Sequence, residues 1–175
     1  TFTMFWTAFT FLLSSPPYSF PVSVIGLFGL AGLVGAIVSQ RAGRFHDRGW
    51  SIPATGIAWV IVLLSFIIAG VGAASVVAII VAIIMLDAGI QAQNVLAQTR
   101  IFAVSASERS RLNTAFVTSN FIGGAIGSAL AGVLWAAGGW TALCLAGAIL
   151  CGFGLTVWLV GRRGALQITT TQGTN

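Results

Sequence analysis

Long apolar runs alternate with short polar linkers along the whole chain. Apolar stretches at roughly 1–14, 22–40, 53–73, 75–98, 114–137 and 140–161 are separated by "SSPPYSFP", "RAGRFHDRGW", the Gly72–Ser75 turn, "TRIFAVSASERSRLN" and "GGW". A helix needs about 20 apolar residues to cross a hydrocarbon core of about 30 Å, and every stretch but the first reaches that length. The runs lack the two-residue alternation of membrane barrel strands, and a helix satisfies each backbone group within its own segment. The pattern therefore predicts an all-α membrane protein with six transmembrane helices over residues 1–163 and a disordered tail over 164–175. Only about 14 residues precede the first turn and no initiating Met stands before them, so the first helix is expected to be truncated.

Polar positions inside these segments are unevenly shared. In the fourth, Asp87, Gln91, Asn94 and Gln98 fall at i, i+4, i+7 and i+11, which places them within an arc of about 60° on a helix. The first repeats that spacing with hydroxyls at Thr3, Thr7, Thr10 and Ser14. The second carries Gly26, Gly29, Gly32 and Gly35, and the fifth Gly123, Gly124 and Gly127 followed by Ser128 and Gly132. Such small faces let helices pack closely. The third and sixth are mostly aliphatic. One three-helix unit used twice, with the second copy inverted by the odd number of spans, is a transporter construction. Striped helices are expected to face a water-filled cavity, because amides turned to lipid would stay unpaired; the greasy helices are expected to form the outer wall.

Composition agrees: the chain is 57% hydrophobic and 6% charged, with a mean hydropathy of +1.00, whereas soluble domains are about a quarter charged. Charge adds sidedness. All eight Arg (41, 44, 48, 100, 109, 111, 162 and 163) lie in alternate linkers or the end of the last segment, hence on one side of a six-span thread. The positive-inside rule makes that side, and the C-terminus, cytoplasmic. A pI near 11.2 invites a nucleic-acid reading, but the Arg form no basic helix face and no aromatic-interleaved basic surface. Cys144 and Cys151 are seven apart on one helix, about 10 Å along its axis, too far for a disulfide. His46 is a lone loop histidine, and no metal constellation exists. Trp50, Trp135, Trp140 and Trp158 fall near segment ends, where indoles favour the interface; Trp6 and Trp59 do not.

The candidate chemistry centres on Asp87, about midway along its segment and far in depth from any Arg. A charged side chain there costs at least about 2.5–3.5 kcal/mol on insertion scales. A carboxylate so placed either takes a proton or pairs with a cation, which makes it a candidate ion-binding site; the alternative is a protonated or amide-bonded residue serving helix packing. Gln91, Asn94 and Gln98 are candidate substrate ligands or interhelix amide bonds. Thr3, Thr7 and Thr10 are candidate pathway residues, or hydroxyls bonded to their own i−4 carbonyls. Asn113 and Asn120 share one face of the fifth segment, and Asn120 joins the candidate pathway.

These features together resemble the C-terminal six-helix half of a major facilitator superfamily transporter, particularly bacterial sugar and drug efflux permeases. The resemblance covers residues 1 to about 163 as helices seven, in part, to twelve. In that family helices one, four, seven and ten surround the cavity, which matches the two striped segments. "GRFHDRG" is similar to the family's cytoplasmic loop signature through Gly43, Arg44, Asp47 and Arg48, although Gly49 comes one place early and Trp50 and Ser51 stand where the pattern has a glycine and a base. The resemblance implies a charge latch there; the alternative is an Asp capping the next helix. "ASERSRLNTAF" leading into "FIGGAIGSALAG" is similar to the loop and eleventh helix of such proteins. The implied function is alternating-access movement of a small organic compound, as proton-coupled efflux by antiport. Uptake by symport and a non-transporting scaffold or sensor of the same fold are the alternatives. The expected partners are the bilayer, the substrate and a missing N-terminal six-helix half, with an ion gradient in place of a cofactor. The expected location is the bacterial inner membrane. No phosphate-binding loop points to ATP, and nothing in the spans suggests an enzyme.

Overall fold

A computed structural model describes residues 1–31, 37, 50–104 and 108–162. Gly32, Gly35, the loop motif Gly43, Arg44, Asp47 and Arg48, and the 164–175 tail lie outside the described residues. Among the described residues every regular element is helical. Helix α1 spans Phe2–Ser14, α2 Val22–Leu27 and continues as a 3₁₀ turn over Phe28–Ala31, α3 Ser51–Val71, α4 Val76–Val104 and α5 Arg109–Gly161. Where the pattern predicts six spans, three of these helices are long and apolar enough to cross a membrane: α3, α4 over Val76–Ile101, and α5. Helix α1 is a shorter apolar helix, stopped by "SSPP". The chain is thus a multi-pass membrane protein, all-helical among the described residues.

Helix α5 is broken into two arms, 109–137 and 140–161, at Gly138 and Gly139. Gly139 has φ 61° and ψ −147°, a combination that only a residue without Cβ adopts readily. The break matches the expected linker. Helix α4 runs past its expected end because nothing in "TRIFAV" stops a helix, and the Arg100 Nε donates back to the Leu96 carbonyl at 3.1 Å.

Contacts fix the directions of the helices. Thr3 meets Gly124 and Thr7 meets Ser128, so α1 runs parallel to the first arm. Gln93 donates to the Thr55 carbonyl at 2.9 Å, and Gly89 packs on Ala58 and Val62, so α3 and α4 are antiparallel. Gly56 faces Trp158 and Phe66 faces Gly147, so the second arm is antiparallel to α3. The start of α3, the end of α4 and the end of α5 therefore lie together, which gathers Arg100 and Arg162 at one end of the bundle.

The core is built where these helices meet. Met4, Phe5, Phe9 and Leu13 of α1 pack with Val62 and Phe66 of α3, Ile79, Ile83 and Leu86 of α4, and Leu143 and Cys144 of the second arm. Cys144 and Cys151 are buried free thiols. Phe5 is the hub, its ring edge-on to Phe66 and to Trp140 with centroids 5.5 Å away in each case. The α3–second arm seam is set by rings lying over glycines: Phe66 over Gly147, Trp59 over Gly154 and Trp158 over Gly56. Two indoles fasten it further, Trp140 Nε1 donating to the Ala69 carbonyl at 2.8 Å and Trp158 Nε1 to Ile52 at 2.9 Å. On their far sides both elements present apolar stripes, Ile57, Leu64 and Val71 on α3, and Leu145, Ile149, Phe153 and Val157 on the arm. Replacing Trp140 by Phe keeps the ring and removes a buried donor. The unfolding midpoint in detergent is expected to fall by an amount equivalent to about 1–2 kcal/mol; an unchanged midpoint would show that the bond contributes nothing.

Candidate functional site

A cavity of about 700 Å³ lies between α1, α4 and the first arm of α5, lined by Thr3, Gln91, Asn94, Gln98 and Asn120 with Val95, Phe116, Val117, Phe121, Gly124 and Ala125. The period of the helix creates it: Gln91, Asn94 and Gln98 occupy successive turns on one face of α4, and Asn120 answers from the opposing arm. Three of its four amides belong to the α4 stripe. The wall also carries the Phe116 and Phe121 rings, but no charged side chain among its lining residues. Asn94 Nδ2 donates to Gln91 Oε1 at 3.5 Å. Thr3 spends its hydroxyl on the Gly124 carbonyl at 3.0 Å, which ties α1 to the arm at the cavity wall. A lining of amides and aromatic rings can hydrogen-bond and stack a polar organic molecule.

Asp87 does not line this cavity. It is 3% exposed, and its Oδ1 accepts a hydrogen bond from Trp6 Nε1 of α1 at 3.4 Å. Among the described residues no basic side chain forms an ion pair with it.

The hydroxyl stripe of α1 separates into unlike parts. Thr3 lines the cavity, Thr7 shares a hydrogen bond with Ser128 at 3.1 Å, and Thr10 and Ser14 donate to their own helix at the Trp6 and Phe11 carbonyls. The glycines separate too. Gly124 and Gly127 face Thr3 and Met4 of α1, whereas Gly26, Gly29 and Gly123 meet open space. Asn113 is outside the cavity lining.

Two participants escape a reading of the polar stripes. Trp6 holds the carboxylate, and Gln93, off the stripe, crosses to α3. The signal for Trp6 was its position: an indole deep in an apolar run, away from the interface that indoles favour, and one turn beyond Thr3.

The chain is similar to proteins named as transporters. It is 41% identical over 160 residues to the "Uncharacterized transporter YgaY" of Escherichia coli O157:H7, a match that covers 91% of this chain and 41% of that protein, and equally so to the K12 protein of that name. It is 33% identical over 147 residues to the "Probable transporter SCO4007" of Streptomyces coelicolor, covering 83% of this chain and 34% of that protein. The chain thus spans about two fifths or less of the length of the curated relatives it matches. No protein-family model and no solved structure matches it.

Proposed function

We propose that the chain is part of a secondary active transporter that moves a small organic compound by alternating access, exporting it in exchange for protons. The observation that carries this reading is the convergence of Gln91, Asn94, Gln98, Asn120 and Thr3 on one cavity among apolar helices, with a buried carboxylate one turn away on the same helix face. Amides placed at such depth are costly unless they meet water or a ligand. Similarity to proteins named as transporters supports it independently.

In this reading the chain is the C-terminal half of a major facilitator fold, built as two inverted three-helix repeats, and an N-terminal half closes the cavity. The protein lies in the bacterial inner membrane with its Arg-rich end and C-terminus in the cytoplasm. Amides and rings hold the substrate, Asp87 carries the proton, and the gradient supplies the energy without a cofactor.

The test is flux. The full gene product, reconstituted in liposomes enclosing a pH-sensitive dye, is exposed in turn to sugars and lipophilic drugs, the solute classes that the resemblance implies. Counter-movement of protons and solute is expected; binding without movement would mean a scaffold or sensor, and movement in one direction would mean symport. Changing Gln91 or Asn94 to Leu leaves a substrate group without its partner, a loss of about 1–3 kcal/mol. The KM for the transported solute is expected to rise roughly 5- to 150-fold, and an unchanged KM would remove these amides from the site.

A further inference from the structure

The carboxylate and the cavity lie on a common line. On α4, Asp87 precedes the cavity residue Gln91 by four positions; on α1, Trp6 follows the cavity residue Thr3 by three. The helices point in opposite directions here: Thr3 meets Gly124 on the arm parallel to α1, and that arm faces α4 in the reverse sense through Asn120 and Phe116. Moving from Thr3 to Trp6 and from Gln91 to Asp87 therefore travels the same way, one turn deeper on both walls. The Trp6–Asp87 pair thus lies one turn beyond the lining residues Thr3 and Gln91, just outside the cavity lining. The indole is itself held in place, edge-on to Phe9 at 5.5 Å and to Phe2 at 6.3 Å, and its N–H is directed at the carboxylate.

We infer that Trp6 is a plug between the amide-lined cavity and Asp87, so that the carboxylate meets the cavity's contents only when the indole leaves its place. This deepens the reading of Asp87 as the proton carrier and rests on it for its meaning. Trp6 is a positioning residue: it touches the carboxylate, and its bulk decides what reaches it. An indole suits the task, because its apolar face excludes water while its single donor satisfies an oxygen that would otherwise be buried bare. Neither α1 nor α3 contains Asp, Glu, His, Lys or Arg. Displacement of one side chain would thus open the site without moving a helix.

The experiment measures accessibility and needs no substrate. The full chain in lipid nanodiscs is treated at one pH with water-soluble ethyl-dimethylaminopropyl carbodiimide and glycine ethyl ester, and carboxyl modification is read by peptide mass spectrometry. Glu108, 54% exposed, is the internal standard. In the wild type Asp87 should remain unmodified while Glu108 reacts. In Trp6→Ala, modification of Asp87 relative to Glu108 should rise about tenfold or more; in Trp6→Phe, which keeps a ring, it should rise less. Trp135→Ala removes a distant indole, packed on Phe11 at 5.6 Å, and should leave Asp87 protected. Equal modification in wild type and Trp6→Ala overturns the plug, as does exposure of Asp87 by Trp135→Ala to the same extent, which would make protection a property of general packing. The outcome is separable from the proton-carrier reading: loss of the plug leaves the flux behaviour of Asp87→Asn untouched, and failure of that flux test leaves the labelling intact.

Discussion

Replacing Asp87 by Asn is expected to abolish the response of solute flux to an imposed pH gradient while leaving the protein folded and able to bind solute. Asn keeps the shape and an oxygen that accepts the Trp6 N–H, so the α1–α4 contact survives. What disappears is the capacity to gain and lose a proton. Among the described residues the only other carboxyl side chain is Glu108, exposed beside Arg111 at the start of α5, so no second carrier stands in the described spans. Gradient-driven flux should therefore fall to the level seen without a pH step. Liposome flux at a fixed solute concentration, with and without a pH step, measures it. Full pH-dependent flux in the variant would show that Asp87 is a packing residue.

The largest expected loss of stability follows from the seam between α3 and the second arm of α5. Gly147→Leu places a branched side chain where a Cβ alone would overlap the Phe66 ring. That ring cannot withdraw, because it is 1% exposed and edge-on to Phe5. Overpacking of this kind costs about 1–3 kcal/mol, and this site belongs at the upper end or beyond. Gly152, five residues on in the same arm, has nothing within 4 Å of an added Cβ, so Gly152→Ala should be neutral or stabilising by a few tenths to about 1 kcal/mol. Unfolding midpoints of the two variants in one detergent test the contrast. Equal midpoints would mean that the seam yields and the rings repack.

Much of the cavity was legible because one periodicity wrote it. Gln91, Asn94 and Gln98 must share a face on any α-helix, and a face of amides must find water, ligand or another polar wall. Azimuth was therefore readable where depth was not. Asp87 lies in the middle of the same arc, yet it is sealed by an indole 81 positions away in sequence, and no spacing rule within α4 contains that fact. The hydroxyl stripe left two readings open for a related reason: a threonine can satisfy itself on its own helix, and Thr10 does, so identical spacing covers two different fates. The glycines show the same limit. Gly26, Gly29 and Gly123 form regular patterns and meet open space, while Gly56, Gly147 and Gly154 receive rings from a partner helix far away in the chain. A glycine's role depends on what faces it, and the facing residue is set by tertiary packing.

The pairing of α1 with the first arm of α5 also governs how the molecule is made. Thr3 and Gly124, and Thr7 and Ser128, are 121 residues apart. At about 5–20 residues synthesised per second, α1 waits roughly 6–24 s in the membrane before its partner emerges. The α3–α4 hairpin, closed by the short turn after Val71, forms during that wait. The amide-lined cavity is consequently completed only after the α3–α4 hairpin, and the newborn chain must shelter its hydroxyls and amides on insertion machinery or lipid headgroups until the first arm of α5 emerges.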